Sequence, residues 1–337
     1  MIGARNLSYG SRLYKAIPEK LRTPTTATYR QKPHTEMSIM RVDNLEQRLK
    51  GRVVGQDAAV SHVSQAIRRS QTGARNTTRP LASFLFHGPS GVGKKKLAEA
   101  IAIEFYGSKR SLVRIDMGEH MEKHFLYPVT ESDTDRAVIL FCEIDKASPA
   151  IARSLLQIID DGEFPKHHVG LKCSFRNVPP HNFDFRDTII IMTSNVAQPR
   201  LNRHDSQVRQ GISKNLSEIF RAQLLYRIDE IVLFKMLTKE DLMMMVDAMV
   251  KELVDKMKYS KSIKLEVTEE LKNSVISVGY NCGCGAKQLK WAFARLVEDQ
   301  LADGILKGTV KNRCSVTVDY DPFYESLFTS PASTSDF

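Results

Sequence analysis

A glycine-rich turn ending in lysine is the clearest chemical motif in the sequence. Residues 88–94 read Gly-Pro-Ser-Gly-Val-Gly-Lys and match the first seven positions of the phosphate-binding P-loop pattern. Glycines let backbone N–H groups turn inward onto phosphate oxygens, and the N-terminus of a following helix adds a favourable dipole. The predicted cradle for the phosphates of ATP or ADP consists of Gly88, Pro89, Ser90, Gly91, Val92 and Gly93. Lys94 is predicted to supply the cation for the β and γ phosphates.

The eighth position of the pattern is occupied by a residue that cannot bind magnesium. A serine or threonine there would place its hydroxyl on Mg²⁺, but this chain has Lys95. A protonated lysine has no lone pair to donate. Its ammonium group can replace part of the metal's charge but not its coordination. We therefore count Lys95 among the nucleotide contacts and not among metal ligands.

A second departure affects the same cation. The apolar run at residues 137–141 is followed by Cys142 and Glu143, where a Walker B strand has Asp and then Glu. The aspartate orients magnesium and its water, and the glutamate polarises the attacking water. A cysteine thiol suits softer metals, whereas Glu143 keeps the catalytic carboxylate. The sequence thus predicts impaired Mg²⁺ binding.

One loop contains several potential zinc ligands. These are His167, His168, Cys173 and His181. Their spacing fits no common structural zinc pattern, so no metal site is predicted.

The elements that would position these residues alternate between strands and helices. Apolar runs predict strands at 83–87, 112–116, 137–141, 188–192 and 230–234. Helical spacing predicts helices from about 58 to 73, over 94–106 and over 150–160. This alternation predicts an α/β fold, in which a parallel sheet is covered by helices on both faces. Helices at 239–257 and 287–307, a helix start at Thr268 and a strand at 314–318 indicate a small, mainly helical second unit.

Composition limits the function further. The 337 residues suggest about two domains, and the net charge is +10. The basic residues are scattered and form no groove interleaved with aromatics, so nucleic acid is not favoured as a partner. No apolar stretch is long enough to span a bilayer. Five irregularly spaced cysteines favour a reducing compartment.

Several longer stretches resemble the second ATPase module of Clp-type AAA+ chaperones, the hexameric ring unfoldases and disaggregases. They follow the family's order over about residues 45–320. The matching stretches are 52–57, 114–117, 121–124, 155–162, 185–195 and 226–232. The resemblance implies an AAA+ P-loop domain with a sandwiched parallel sheet, followed by a mainly helical C-terminal lid.

The resemblance also implies roles for five further residues. Val53 and Val54 would lie beside the adenine. Asn195 matches the sensor-1 residue that helps to place the lytic water, and Arg227 matches the arginine finger that reaches the neighbouring subunit's γ-phosphate. The sensor-2 arginine of the lid is replaced by Lys287, which keeps the charge but loses the bidentate fork.

Two departures bear on mechanism. The segment between residues 124 and 137 is much shorter than in the family, and the aromatic-glycine pore loop that grips substrate is absent from the sequence. The segment 164–182 is longer than the family's hairpin, and no Ile-Gly-Phe tripeptide for docking a peptidase is present.

We expect a leader over residues 1–45, a large nucleotide-binding domain over 46–236, a lid over 237–320 and a disordered tail over 321–337. The leader is basic and rich in Ser and Thr, with Glu19 as the one acidic residue among its first 35. It weakly resembles an organellar transit peptide, and a disordered leader or linker explains it equally well. The location is accordingly cytoplasmic or organellar, in a plastid or mitochondrion.

The leading hypothesis is an ATP- or ADP-binding Clp-like protein that hydrolyses little. It would act in homo-oligomers or in mixed rings with Clp-type AAA+ proteins, with protein substrates and no membrane. One alternative is an active ATP-dependent chaperone in which Asp116 or Asp145 holds the metal. A basic nucleic-acid-associated ATPase and a decayed copy without function are the remaining alternatives.

Overall fold

The computed structural model describes residues 42–72, 76–118, 136–163, 184–195, 222–280, 286–311, 313–319 and 329–331. The pore-loop segment, the long loop with its histidines and Cys173, and Cys282 and Cys284 lie outside the described residues. Within the described ranges, no helix is both long and apolar enough to cross a membrane, and no group of three metal-binding side chains is found.

The first unit is built on a five-stranded parallel sheet with the strand order β2-β3-β4-β1-β5. The strands are β1 (Ala82–His87), β2 (Leu112–Asp116), β3 (Val138–Cys142), β4 (Ile189–Ser194) and β5 (Glu230–Leu233). The helices are α1 (Leu45–Lys50), α2 (Asp57–Gln71), α3 (Lys94–Ile101), α4 (Pro149–Asp161) and α5 (Ala222–Leu225). A π-helical turn, Ala102–Tyr106, continues α3, and short 3₁₀ turns cover Lys109–Ser111 and Ile144–Lys146.

Side chains of the central strands alternate between two cores, one on each face of the sheet. Phe84 and Phe86 of β1 pack with the buried faces of α1, α2 and α3, whereas Leu85 packs on the opposite side with α4. All residues of β1, β3 and β4 are buried. The predicted α/β fold with helices on both faces is confirmed.

The second unit contains four helices and a small sheet within the described residues. The helices are α6 (Lys239–Lys261), α7 (Glu269–Gly279), α8 (Ala286–Phe293) and α9 (Asp299–Leu306), with a π-helical turn Ala294–Glu298 between the last two. The strands are β6 (Lys264–Val267), β7 (Ser315–Val318) and β8 (Thr329–Pro331). Thr268 caps α7 by accepting from the Leu271 amide at 3.3 Å, as predicted.

Two predictions on the ends of the chain need correction. The predicted leader includes Val42 and Leu45, but both are buried in the first core because they pack beside α2 and α3. The predicted tail includes Thr329–Pro331, but this segment pairs antiparallel with β7. Pairing of β7 with β6 leaves backbone groups on its other side, and pairing with them does not require the apolar pattern that the prediction used.

Candidate functional site

The glycine-rich loop joins the end of β1 to the start of α3, as the sequence predicts. Gly91 and Gly93 have φ values of +77° and +112°, which only glycine adopts without strain. Val53 lies against this loop, since a Cβ on Gly93 would be 3.7 Å from Val53 Cγ1. Val53 is buried and Val54 is half-buried beside it. The strand–loop–helix context can therefore hold phosphates at the N-terminus of α3.

Lys94 is anchored beneath the loop. Its Nζ donates to the carbonyl oxygens of Gly88 and Pro89, each at 2.6 Å, and the residue is 6% exposed. Burial lowers the pKa of Lys94 to about 8, against the attraction of Asp145 and Glu143. Near neutral pH the ammonium form of Lys94 is therefore only slightly more stable than the neutral amine. A bound phosphate would stabilise the ammonium form.

Nucleotide binding is expected to weaken above pH 8 because of this lowered pKa. Below pH 8 the free protein already carries the Lys94 proton; above it, the site must take up a proton before the ammonium can bind phosphate. The Kd for ADP should be level between pH 7.5 and about 8, and then rise by up to about tenfold per pH unit. Titration calorimetry at constant ionic strength, in buffers of different ionisation enthalpy, measures both the Kd and the proton uptake. A Kd that is unchanged from pH 8 to 9.5 would contradict the assignment.

The two unusual residues of the motif lie at one corner of the site. Cys142 ends β3, beside Asp116 at the end of β2, with which it is in register. The Cys142 thiol is fully buried, and burial raises its pKa. Lys95 is exposed in the first turn of α3, and its charge acts on both Cys142 and Asp116. The thiol is therefore neutral at physiological pH and lies near the cations Lys95 and Arg114.

This corner does not fit a magnesium ion. Magnesium demands hard oxygen ligands, whereas Cys142 offers a protonated sulfur and Lys95 offers none. Asp116 is already engaged: its Oδ1 accepts from the Gly118 amide and its Oδ2 from Arg114, both at 3.2 Å. Burial acts to raise the pKa of Asp116, but these bonds together with the nearby cations leave it lowered.

Glu143 and Asn195, predicted as catalytic residues, lie side by side. Asn195 Nδ2 donates to Glu143 Oε1 at 3.4 Å, since β3 and β4 are adjacent and end at the same edge. Glu143 has φ +57° and its amide donates to Thr193 Oγ1 at 3.1 Å, so a sparsely populated backbone conformation is held in place. Lys146 pairs with the other carboxylate oxygen at 2.7 Å.

Arg227 does not lie near the phosphate loop of its own chain. It precedes Asp229, whose amide donates to the Ser83 carbonyl at the start of β1, whereas the loop follows the end of β1. A strand of this length spans about 20 Å. The Arg227 guanidinium instead pairs with Asp160 at the end of α4. The structure therefore separates this residue from the other predicted catalytic residues.

Lys287 is exposed at the start of α8. The preceding residue, Ala286, donates its amide to the Gly91 carbonyl at 3.0 Å. A second contact joins the two units, because a Cβ on Gly55 would be 2.6 Å from Asp241 Cγ of α6. The lid thus adjoins the cradle, and Lys287 is the second residue of the helix that contacts it.

Sequence reasoning assigned no role to Gln56 or His87, which support the site, and named Asp145 only as an alternative metal ligand. Gln56 is buried and donates to the carbonyl oxygens of Val92 and Lys235, at 3.2 and 2.9 Å, while accepting from the Lys235 amide. His87 is buried at the end of β1, and burial lowers its pKa. Asp145 Oδ1 is buried without a hydrogen-bond partner among the described residues. The sequence signal for Gln56 is its place in the 52–57 stretch, which carries the family resemblance.

Comparison with known proteins agrees with this arrangement. Residues 79–231 match the AAA domain (Cdc48 subfamily) model, and residues 237–318 match that of the C-terminal D2-small domain of ClpB protein. The chain is similar to the chloroplastic chaperone protein ClpC1 of Oryza sativa, with 36% identity over 315 residues. It is also similar to the ClpA homolog of Cyanidium caldarium, an ATP-dependent Clp protease ATP-binding subunit, with 35% identity over 312 residues.

The chain spans about a third of the length of these relatives. The two alignments cover 83% and 82% of this chain, but 33% and 35% of the respective relatives.

Proposed function

We propose, since the chain belongs to the Clp-type AAA+ family, that it is a nucleotide-binding member with impaired or absent hydrolysis. The observation that carries this proposal is a contrast within one site. The phosphate loop keeps the glycines of the pattern and its lysine is anchored, whereas the magnesium corner holds the Cys142 thiol and Lys95. Such a site keeps the groups that bind ATP or ADP and lacks those that position Mg²⁺.

The expected loss of rate is large. Metal ions contribute several kcal/mol of charge stabilisation in such transition states, and each 1.4 kcal/mol corresponds to about tenfold in rate. Loss of magnesium positioning should slow hydrolysis by about a thousandfold or more. Glu143 and Asn195 would remain able to orient a water molecule, but without the metal their effect is small.

Arg227 supports action through neighbouring subunits. Its distance from its own phosphate loop and its half-exposed guanidinium suit donation to an adjacent chain. We propose that the chain forms rings with other copies of itself or with intact Clp-type proteins. In these rings it would donate Arg227 to the nucleotide site of the neighbouring subunit. Protein substrates would be handled through those rings. The chloroplastic names of several relatives support an organellar location.

Steady-state ATP hydrolysis with Mg²⁺ tests this proposal, with a Lys95→Thr, Cys142→Asp variant measured in parallel. The unmodified chain should be at background, and the variant should turn over because both magnesium positions are restored. A Lys96→Thr variant, changed at the next exposed lysine, is the control and should remain at background. Hydrolysis by the unmodified chain at a rate near the variant's would show a working ATPase instead.

That working ATPase is the second candidate function, and one observation favours it. Asp145 Oδ1 is buried and lacks a hydrogen-bond partner among the described residues, while its charge acts on Lys94. A carboxylate oxygen in this state could accept a metal ion or a water bound to one. An Asp145→Asn variant decides its role, because it would abolish the hydrolysis of the unmodified chain only under this second candidate.

A further inference from the structure

The two replaced residues change the charge of the site by the charge of the missing ion. Replacing the pattern's Ser or Thr with Lys95 adds one positive charge, and replacing its Asp with Cys142 removes one negative charge. Together the two replacements make the site more positive by two charges, which is the charge of Mg²⁺. The buried, neutral thiol keeps this change in place at physiological pH.

The positive charge at this corner is available to a ligand. Asp116 is paired with Arg114, and Glu143 is paired with Lys146. Among the ion pairs of the described residues none includes Lys95, which follows the anchored Lys94 in the first turn of α3. The corner therefore presents an ammonium group that forms no ion pair among the described residues, beside the phosphate cradle, where the P-loop pattern would place the metal.

We propose that the site binds ATP as its metal-free polyanion, with the Lys95 ammonium in place of the divalent ion. This inference rests on the proposed nucleotide-binding function and extends it to the form of the ligand. Free ATP carries two more negative charges than its magnesium complex and so gains more from Lys95. The complex brings a cation toward Lys95 at a corner where Cys142 replaces the aspartate of the pattern, and like charges repel. Magnesium should consequently compete for ATP and oppose binding.

Titration calorimetry with ATP tests the inference, in EDTA and in excess Mg²⁺ at matched ionic strength. For the unmodified chain we expect the Kd to be at least about tenfold weaker in Mg²⁺ than in EDTA. Lys95→Thr should weaken binding in EDTA by about tenfold or more and remove the preference for metal-free ATP. Lys96→Thr removes the same charge from the next exposed position on α3 and should leave the preference intact.

The possible outcomes separate this inference from the proposed function. Binding that is tighter in Mg²⁺, or a Lys95→Thr variant with the same Kd in EDTA as the unmodified chain, overturns the inference and leaves nucleotide binding standing. Equal weakening by Lys95→Thr and Lys96→Thr also overturns it, because the effect is then one of general charge. Absence of ATP binding in both conditions, from a chain whose melting curve is cooperative, overturns the proposed function as well.

Discussion

Mixing the unmodified chain with a Lys95→Thr, Cys142→Asp, Arg227→Ala variant is expected to produce ATP hydrolysis that neither chain shows alone. The triple variant has Thr and Asp at the two magnesium positions of the pattern but lacks Arg227, the proposed arginine finger. The unmodified chain has Arg227 but has Lys95 and Cys142 at those two positions. Arg227 lies near the start of β1, whereas the phosphate loop follows the end of β1. The unmodified chain would therefore supply Arg227 across an interface to the magnesium-binding site of the triple variant.

The expected effect is large and has a defined dependence on mixing. An arginine finger contributes about 10³–10⁵ in rate, so the triple variant should be at least about a thousandfold slower than the Lys95→Thr, Cys142→Asp variant. In randomly mixed rings the rate should peak at equal proportions, at about a quarter of that variant's rate per chain, since half the chains have a competent site and half of those have a finger-bearing neighbour. Hydrolysis assays across the mixing ratio measure this curve.

Arg153→Ala in the Lys95→Thr, Cys142→Asp background is the matched control. Arg153 is an arginine of α4 whose guanidinium bonds the Pro149 carbonyl at 3.2 Å, so its loss should leave the rate nearly unchanged. Loss of the Arg227–Asp160 pair is not expected to unfold the chain, because partly exposed ion pairs contribute about 0–1 kcal/mol. A triple variant as fast as its parent, or a mixture no faster than its components, would refute the role in a neighbour's site.

Gly88→Ala is expected to destabilise the first unit and remove nucleotide binding. Gly88 has φ +153°, and a Cβ there would lie 2.6 Å from the Phe234 carbonyl oxygen and 2.9 Å from Phe234 Cβ. Phe234 cannot retreat, because its amide donates to the His87 carbonyl at 2.8 Å and its ring packs on Phe86. Strain and overpacking together should cost about 2–4 kcal/mol in the free energy of unfolding. Urea denaturation and ADP titration measure the two effects.

Gly308→Ala separates the clash from the backbone strain. Gly308 also has positive φ, +74°, but a Cβ there meets no atom within 4 Å. Its cost should be about 1 kcal/mol, from strain alone, with ADP binding preserved. Equal losses for the two variants would mean that the contact with Phe234 contributes nothing.

Most of the first unit could be predicted because its strands are buried on both faces. Such strands are short, nearly continuous apolar runs, and β1, β3 and β4 each stood out for this reason. β6 did not, because its residues alternate between exposed and buried over only four positions. Thr329–Pro331 carries no apolar pattern, since its place depends on backbone pairing with β7. Met243, Met245 and Met249 of α6 pack against the core of the second unit, whereas Met244 is 59% exposed.

The site was predictable where parallel strands fix the geometry. Glu143 and Asn195 each follow the end of a strand, and adjacent parallel strands bring such residues together. Gln56 was not predictable in this way, since its amide bonds a carbonyl 179 residues away in the chain. The burial of Asp145 Oδ1 was not predictable either, because the burial of a single atom depends on the folded site and not on residue spacing.

The hydrogen bond from Ala286 to Gly91 connects the C-terminal helices to the phosphate loop. By thermodynamic linkage, a partner that grips those helices must change nucleotide affinity by the same factor by which nucleotide changes the partner's affinity. A chain that does not hydrolyse cannot drive this exchange around a cycle, so both ligands stay at equilibrium. Under the proposed function, the concentration of free nucleotide would then set the affinity of the chain for its neighbour.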